Sequence, residues 1–412
     1  MRRSSTLLTR LAGAAAGVVL AAAAVLTAAL PAQAAALTQV TGFGSNPGNL
    51  AMYAYRPNGL PANAPAVVLL HGCTQNATGY FTNSGWQKYA DLWKFTLIVP
   101  QQPSANNANS CFNWFETGDT ARGQGEALSI KQMVDHAKTT YGTDPGRVYV
   151  SGLSGGGAMS AVMLATYPDV FAAGSVIAGL PYRCATSMVN VFSCMNPGVD
   201  KTPAQWGDLV RNAYSGYGGK RPRVAIWHGT SDTTVAPLNA AESRDQWTNV
   251  LGVPSTPTST GTLPGGTSLE VYGADQVRLY RVSGMGHGTP VDPGSATDQC
   301  GSTAAYFLDT ICSTYRDALF FGLDGGVTPS PTTSPTTSPT PTATASPSSS
   351  PSPTAAPVCV TASNYAHVTA GRAYQSGGYA YALGSNQRMG LYNTFYTSTL
   401  KQTGPGYWVI GC

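Results

Sequence analysis

The sequence has little charge. Only 10% of its 412 residues are Asp, Glu, Lys or Arg, whereas 42% are hydrophobic. The formal net charge is +4, and subtracting Arg2, Arg3 and Arg10, which lie in an N-terminal segment that we expect to be removed, leaves +1. Such a chain has too few lysines and arginines to neutralise a phosphate backbone, so nucleic acid is excluded as a partner. The hydrophobic fraction excludes a wholly disordered chain.

Metal-binding cysteine patterns are also missing. The sequence has eight cysteines but no Cys-x-x-Cys pair and no Cys/His cluster with zinc-site spacing, so no metal site is predicted. An even number of cysteines indicates disulfides in an oxidising compartment instead. Sequence alone does not fix their connectivity. Proximity along the chain suggests the pairs Cys73–Cys111, Cys184–Cys194, Cys300–Cys312 and Cys359–Cys412.

Long hydrophobic runs are confined to the N-terminus. The three arginines precede an apolar run over residues 11–30, after which Ala32-Gln33-Ala34 has the small residues of a cleavage site. We interpret residues 1–34 as a signal peptide. The alternative is an uncleaved membrane anchor, because about 20 apolar residues can span a bilayer. The mature chain is expected to be secreted, monomeric and without membrane contact.

A low-complexity segment divides the rest of the chain. Every residue from 328 to 357 is Thr, Ser, Pro or Ala, a composition that cannot bury apolar surface and is typical of an extended linker. We therefore predict a larger domain over residues 35–327 and a separate C-terminal domain over residues 358–412. Linkers of this kind commonly join a catalytic domain to a module that holds it on an insoluble substrate.

Strand-like and helix-like segments alternate in the larger domain. Helices are predicted over residues 126–141 and 158–167. Buried strands are predicted over residues 66–70, 96–99, 147–150, 176–178, 224–227 and 277–282. This alternation predicts an α/β fold with a mainly parallel sheet that is covered on both faces. In such sheets, functional residues lie at the carboxyl ends of the strands.

A Gly-x-Ser-x-Gly sequence, Gly152-Leu153-Ser154-Gly155-Gly156, lies between a predicted strand and a predicted helix. A chain of this length and glycine content is expected to contain about half a Gly-x-Ser-x-Gly match by chance. The evidence for function is therefore the position of this match between a strand and a helix. There, flanking glycines permit the strained turn that exposes the nucleophile of an α/β-hydrolase. Ser154 is therefore predicted to be a nucleophile. The alternative is a helix-capping serine in a glycine-rich turn.

Two further residues follow later strands in the order nucleophile, acid, histidine that this fold requires. Asp232 follows the predicted strand over residues 224–227, and His287 comes just after the one over residues 277–282. Asp245 and Asp275 are rival acids, but the first lies in a helical segment and the second in a loop before a strand. We predict that Asp232 orients His287, which takes the proton of Ser154.

The sequence His71-Gly72-Cys73 follows the first buried strand. A loop at this position supplies one backbone N–H to the oxyanion hole of an α/β-hydrolase, and the residue after the nucleophile supplies the other. The predicted donors are the N–H groups of Cys73 and Gly155, and His71 either shapes the loop or contacts substrate. The predicted reaction is acyl transfer through Ser154 to water, which requires no metal or other cofactor.

These motifs resemble a known family. Four segments are similar to the type 1 catalytic domain of extracellular poly(3-hydroxybutyrate) (PHB) depolymerases, namely His71–Gln75, Gly152–Gly156, His228-Gly229 with Asp232, and Gly286-His287. The resemblance implies an α/β-hydrolase fold, with Ser154, Asp232 and His287 as catalytic residues and His71 as the oxyanion histidine. One difference is Gly155, where the family often has Ser or Ala. The domain also resembles secreted feruloyl and acetylxylan esterases, so it leaves the substrate open.

The C-terminal segment resembles the substrate-binding domain of the same depolymerases in residues 362–367 and 395–400. The resemblance implies hydrolysis of a short-chain poly(3-hydroxyalkanoate), with this segment anchoring the enzyme on the insoluble polyester. Its nine aromatic residues and three charged residues suit a surface of methyls and carbonyls, and its alternating sequences predict a small β-rich module. The predicted polymer contacts are Tyr365 and Tyr396 there, and Trp86, Trp114 and Tyr182 in the catalytic domain.

Two other functions stay open. A feruloyl or acetylxylan esterase of plant cell walls would use the same catalytic residues, with a C-terminal module that binds polysaccharide. A non-catalytic adhesin on the same fold is expected to have lost Ser154, Asp232 or His287, and all three are present.

Overall fold

The computed structural model describes residues 35–325, 359–376, 379–392, 396–404 and 407–411. The chain divides into two compact units, residues 1–332 and 333–412. The predicted signal peptide and the predicted linker lie outside the described residues. Within the described ranges, no helix is long and apolar enough to cross a membrane.

The first unit is built on a sheet of ten strands. In chain order these are β1 (Thr38–Val40), β2 (Ala51–Tyr55), β3 (Ala66–Leu70), β4 (Thr96–Gln101), β5 (Val148–Leu153), β6 (Ala173–Ile177), β7 (Arg223–Gly229), β8 (Ser259–Leu263), β9 (Thr267–Tyr272) and β10 (Val277–Val282). Their spatial order is β1-β2-β4-β3-β5-β6-β7-β10-β9-β8. The six strands from β4 to β10 in this order pair in parallel, and the outer strands are antiparallel. The prediction of a mainly parallel sheet is confirmed.

Helices cover both faces of the sheet. They are α1 (Ala77–Asn83), α2 (Trp86–Trp93), α3 (Thr117–Thr120), α4 (Gly125–Tyr141), α5 (Gly155–Thr166), α6 (Met188–Met195), α7 (Pro203–Ala213), α8 (Leu238–Leu251) and α9 (Ser313–Phe321). Side chains of β3 alternate between two hydrophobic clusters, because successive residues of a strand point to opposite faces. Residues of α4 to α8 pack in one cluster, and residues of α1, α2 and α9 pack in the other.

All six strands that the sequence predicted in the first unit are present, with ends shifted by a few residues at most. The predicted helix over residues 158–167 begins earlier, at Gly155, directly after Ser154. The outer strands β1, β2, β8 and β9 were not predicted from the sequence. A short parallel pair, β11 (Thr289–Val291) with β12 (Phe307–Asp309), follows the main sheet.

The second unit is rich in strands, as predicted. It contains β13 (Cys359–Ser363), α10 (Asn364–Thr369), β14 (Ala373–Ser376), β15 (Tyr379–Ala382), β16 (Arg388–Leu391), β17 (Thr397–Gly404) and β18 (Tyr407–Ile410). The strands form two antiparallel sheets of three strands each. A small core of alanines, Met389, Leu400 and Trp408 holds the unit together.

Three disulfides pair as the sequence interpretation suggested. They join Cys73 to Cys111, Cys184 to Cys194, and Cys300 to Cys312. The fourth suggested pair, Cys359 with Cys412, includes a residue outside the described part of the chain.

Candidate active site

Ser154 occupies a strained turn between a strand and a helix. Strand β5 ends at Leu153, helix α5 begins at Gly155, and Ser154 has φ 55° and ψ −117°. Few residues other than glycine adopt such a backbone conformation without support, and here the Ser154 N–H donates to the Ile177 carbonyl at 2.8 Å. A Cβ on Gly156 would lie 2.2 Å from the Leu70 carbonyl oxygen. The glycine therefore lets helix α5 begin directly beside β3.

His287 and Asp232 approach Ser154 from the ends of neighbouring parallel strands. His287 follows β10 and Asp232 follows β7. The Nε2 atom of His287 lies 2.8 Å from Ser154 Oγ, and its Nδ1 atom lies 2.7 Å from Asp232 Oδ2. The other carboxylate oxygen of Asp232 accepts the N–H groups of Thr234 and Val235, each at 2.9 Å. This arrangement places a hydroxyl, an imidazole and a carboxylate in one hydrogen-bonded line.

The electrostatic environment favours an ionised aspartate. Burial alone would raise the pKa of Asp232, but the hydrogen bond and charge of His287 and the backbone N–H of Val235 together lower that pKa below its ordinary value. His228 is buried next to this carboxylate, and burial lowers the pKa of its ring. Its Nε2 donates to the Val235 carbonyl at 2.8 Å, which holds the loop that carries Asp232. A negative charge is thus placed to stabilise a protonated His287.

His71 is the first residue after β3, and its side chain is fully buried. Its Nδ1 donates to the Gly72 carbonyl at 2.8 Å, and its Nε2 accepts the backbone N–H of Gln102 at 3.2 Å. Burial lowers the pKa of His71 to about 4, so the ring is neutral. Because both ring nitrogens are occupied inside the protein, the geometry fits the loop-shaping alternative. Direct contact between His71 and substrate, the other alternative, does not fit.

The loop and the helix start meet at a disulfide. Gly155 is the first residue of α5, so its N–H has no acceptor within the helix. A Cβ on Gly155 would lie 3.0 Å from Cys73 Sγ and 3.8 Å from Cys111 Sγ. The Cys73–Cys111 disulfide therefore packs directly against the start of α5.

Sequence reasoning missed a buried carboxyl behind this loop. Glu126 accepts the backbone N–H of Asn113 at 2.8 Å and a hydrogen bond from the side-chain amide of Gln102. The same amide donates to the Cys111 carbonyl at 3.1 Å. Burial and the nearby charge of Asp119 raise the pKa of Glu126 to about 8. The sequence places Glu126 at the start of a predicted helix but gives no sign of these buried contacts.

A cavity of about 120 Å³ opens over Ser154. Its lining residues are Gly72, Cys73, Thr74, Gln75, Leu153, Ser154, Met195, Thr234, His287 and Tyr306. Met195, Thr234 and Tyr306 were not predicted, because no local motif connects them with Ser154. Among the described residues, no group of three or more His, Cys, Asp or Glu side chains could hold a metal ion.

Two of the predicted substrate contacts in the catalytic domain are wrong. Trp86 is fully buried and packs against Phe95 and Phe321 in the core. Tyr182 is also buried, with its backbone held by the side-chain amide of Gln246. Both side chains are part of the hydrophobic core.

Trp114 lies nearer to the predicted site. Its Cδ1 atom is 3.7 Å from the position of a Cβ on Gly155, so the indole packs beside the Cys73–Cys111 disulfide. It is buried and does not line the cavity.

The two aromatic residues predicted to contact polymer in the second unit are at its surface. Tyr365 is 47% exposed and Tyr396 is 52% exposed. The Tyr365 ring lies 5.4 Å from that of Tyr392. Trp408, by contrast, belongs to the small core.

The fold and this site together define a class of protein. A serine in a strand-to-helix turn, hydrogen-bonded to a histidine–aspartate pair at the carboxyl ends of parallel strands, is the arrangement of a serine hydrolase with the α/β-hydrolase fold. The protein is a carboxylic ester hydrolase. The chain belongs to the family described as Esterase PHB depolymerase, whose model matches residues 49–270. The matched range includes Ser154 and Asp232, and His287 lies beyond it.

The proteins that this chain resembles are named as three kinds of esterase. Poly(3-hydroxyalkanoate) depolymerase C of Paucimonas lemoignei is 57% identical over 295 residues, which cover 70% of this chain and 71% of that protein. Feruloyl esterase B of Talaromyces funiculosus is 37% identical over 279 residues, 66% of this chain and 78% of that protein. A solved acetyl xylan esterase from Aspergillus awamori has a TM-score of 0.61 and 32% identity, and the match covers 70% of this chain and 99% of that one.

Proposed function

We propose that the chain is a secreted serine esterase that hydrolyses the ester bonds of a short-chain poly(3-hydroxyalkanoate) and releases 3-hydroxybutyrate or its oligomers. The observation that carries the chemistry is the hydrogen-bonded line from Asp232 through His287 to Ser154 below an open cavity. The choice of substrate rests on the 57% identity with a protein named as a poly(3-hydroxyalkanoate) depolymerase.

In the proposed mechanism, Ser154 is the nucleophile. His287 takes the Oγ proton through Nε2 as the serine attacks the ester carbonyl, and Asp232 stabilises the imidazolium that forms. The backbone N–H groups of Cys73 and Gly155 bind the oxyanion, and one such donor contributes about 2.7–4 kcal/mol. His287 then protonates the leaving alcohol. Water, activated in the same way, releases the acid and restores Ser154.

The size of the cavity supports a small acyl group. Its volume of about 120 Å³ is well below the roughly 300–1,000 Å³ of pockets that enclose drug-sized ligands. A methyl-bearing four-carbon unit suits such a space, with Leu153 and Met195 offering apolar contacts and Thr74 and Thr234 offering polar ones. The remainder of a polymer chain would lie outside the cavity.

The proposed organisation follows the sequence interpretation. Residues 1–34 are a signal peptide, residues 35–327 the catalytic domain, residues 328–357 a linker and residues 358–412 a substrate-binding domain of a monomeric enzyme. Three disulfides support an oxidising compartment. The exposed rings of Tyr365 and Tyr396 support polymer binding by the last domain, which raises the local substrate concentration without changing the chemistry.

A second candidate function is an esterase of plant cell walls. The TM-score of 0.61 with an acetyl xylan esterase and the 37% identity with a feruloyl esterase favour it. An acetyl group would also fit a small cavity, whereas a feruloyl ring suits it poorly.

The two candidates are separated by the products that one enzyme preparation releases. The mature full-length protein is incubated with PHB granules, acetylated xylan and feruloylated xylan, and soluble 3-hydroxybutyrate, acetate and ferulate are quantified. We expect 3-hydroxybutyrate release to dominate and to vanish in Ser154→Ala. If acetate or ferulate release dominates and the granules stay intact, the polyester proposal is wrong and the cell-wall esterase stands.

A further inference from the structure

Helix α6 displays large apolar side chains to solvent. Val189 is 87% exposed, Phe192 is 73% exposed and Met188 is 52% exposed. Single exposed apolar residues are ordinary on protein surfaces, but a contiguous group indicates an interaction surface. Three such residues within one helix of eight residues form a group of this kind.

These side chains lie on one side of the helix. With a rotation of 100° per residue, Met195, Met188, Phe192 and Val189 follow one another around an arc of about 120°. The opposite side carries Val191 and Cys194, which are buried. We call the arc formed by Met188, Val189, Phe192 and Met195 the α6 face.

The α6 face continues into the candidate active site. Met195, at one edge of the arc, lines the cavity over Ser154. Tyr306 lines the same cavity and is 43% exposed at its rim. An apolar surface that is continuous with this cavity is placed to contact a substrate that enters it.

Helix α6 is held firmly in this position. The Cys184–Cys194 disulfide ties its C-terminal end to the preceding loop. The Met195 carbonyl accepts the Ala236 N–H at 2.8 Å, and the Asn239 side chain donates to the Cys194 and Met195 carbonyls at 3.1 and 3.0 Å. Ala236 lies in the loop that carries Asp232, so the α6 face is fixed relative to the proposed catalytic residues.

The chemistry of the segment identifies its partner. No charged residue occurs from Cys184 to Val199. Charged or phosphorylated ligands therefore find no counter-ion along the segment, and most hydroxyl groups of a polysaccharide surface would find no hydrogen-bond partner on the apolar arc. A water-insoluble polyester, whose surface consists of methyl and ester groups, matches an arc of methionine, valine and phenylalanine side chains.

We propose that the α6 face is a polymer-attachment surface on the catalytic domain itself, distinct from the C-terminal module, which seats the active-site cavity on the surface of the insoluble polyester. This inference rests on the proposed function and adds to it the part of the catalytic domain that contacts the polymer. Attachment by the C-terminal module concentrates the enzyme on the polymer, and attachment by the α6 face orients the cavity towards it.

The test compares two activities of the full-length protein carrying Val189→Ser and Phe192→Ser. Neither residue lines the cavity, so hydrolysis of a soluble short-chain aryl ester is expected to stay within about twofold of the parent. Clearing of PHB granules at low enzyme concentration is expected to fall about tenfold, because two apolar contacts with the polymer are lost. Leu92→Ser is the matched control, since Leu92 is 53% exposed on α2 and is not among the residues that line the cavity. This control should alter neither activity.

Each other outcome overturns the proposal in a different way. Unchanged granule clearing by the double variant means that the α6 face does not touch polymer. Loss of both activities means that α6 merely supports the active site. Faster clearing means that the face is covered by the chain's own C-terminal module, and a change from dimer to monomer in sedimentation velocity means that a second copy covers it. If the parent cleaves the aryl ester but clears no granules, the proposed polyester function itself has failed.

Discussion

The Nε2 atom of His287 lies 2.8 Å from Ser154 Oγ, although 133 positions separate the two residues in the chain. The contact forms because β5 and β10 point their carboxyl ends to the same edge of the sheet, with Ser154 and His287 in the turns that follow. Asp232 arrives from the end of β7 between them and lies 2.7 Å from the other ring nitrogen.

Replacing the aspartate tests this line of hydrogen bonds. Asp232→Asn keeps the shape of the side chain but offers an amide where His287 Nδ1 needs an acceptor. We expect kcat for a soluble ester to fall about 10⁴-fold, the loss that follows when the acid of a Ser-His-Asp triad becomes an amide. Asp245→Asn and Asp275→Asn are the controls, and both should keep near-parental kcat. If Asp232→Asn stays active and one of the controls loses most of its kcat, the aspartate replaced in that control is the catalytic acid.

His71 is predicted to act on the oxyanion loop without touching substrate. Its ring joins the Gly72 carbonyl to the Gln102 N–H, so His71→Ala frees the loop that carries the Cys73 N–H. We expect kcat to fall by up to about 10²–10³-fold, with little change in KM for a soluble ester. His136→Ala, on the outer part of α4, serves as the control. A His71→Ala enzyme with parental kcat contradicts the role.

Neighbouring glycines at the start of α5 are expected to differ in what they tolerate. A Cβ on Gly155 meets Cys73 Sγ at 3.0 Å, whereas a Cβ on Gly156 meets the Leu70 carbonyl oxygen at 2.2 Å. Gly155→Ala should therefore fold, lose about 1–3 kcal/mol of stability and keep activity, because a sulfur atom can move slightly. Gly156→Ala should give no active folded protein, because backbone stands in the way. Thermal unfolding and aryl ester hydrolysis of both variants test the contrast.

Two buried carboxyl groups make stability fall as pH rises. Burial raises the pKa of Glu126 to about 8 and that of Asp317 to about 7. In the unfolded chain both groups ionise near pH 4. The folded state therefore keeps protons that the unfolded state releases, so the stability present below about pH 4 is lost progressively up to about pH 8.

Calorimetry across this range measures the effect. We expect Tm to decrease from about pH 7 to about pH 9, above the range in which buried His71 and His228 take up protons on unfolding, and Asp317→Asn to flatten the decrease. The asparagine keeps an oxygen that can accept from Trp227 Nε1, the partner that Asp317 holds at 2.8 Å. A Tm that increases steadily over this range contradicts the assignment.

Tyr365 and Tyr396 are predicted to bind polymer and to have no effect on hydrolysis at Ser154. Tyr365→Ser with Tyr396→Ser should reduce adsorption to PHB granules about tenfold, since two exposed rings lose their contacts. Hydrolysis of a soluble aryl ester should not change. Adsorption is measured by depletion of protein from the supernatant, in a Ser154→Ala background that leaves the granules intact. If the variant adsorbs as strongly as the Ser154→Ala parent, neither tyrosine contributes to polymer binding.

The features that could be predicted from sequence have local signals. Ser154, Asp232 and His287 each lie within five residues after a largely buried strand, so hydrophobic runs and turn glycines locate them without tertiary information. Strands β8 and β9 escaped prediction because they lie in the outer part of the sheet, and exposed residues such as those of Ser259–Leu263 carry no hydrophobic alternation.

Tertiary packing, and not residue type, determines which side chains line the site and which are buried in the core. Trp86 and Tyr182 were predicted at the surface of the site because aromatic rings suit an apolar substrate, yet both are buried in the core. Met195 reaches the cavity because a disulfide and the loop after Asp232 hold helix α6 there. Glu126 reaches the oxyanion loop through Gln102, across 24 positions of the chain. None of these contacts has a signature in neighbouring residues.

The most direct test of the proposed mechanism is to trap the acyl-enzyme on Ser154. The full-length protein is mixed with a short 3-hydroxybutyrate oligomer, quenched in acid during turnover and digested, and the peptide that contains Ser154 is examined by mass spectrometry. We predict a 3-hydroxybutyryl ester on Ser154 that appears during turnover, disappears when substrate is exhausted and is absent in Ser154→Ala. The proposed mechanism is wrong if the oligomer is turned over with no adduct, if the adduct forms on another residue, or if Ser154→Ala is active.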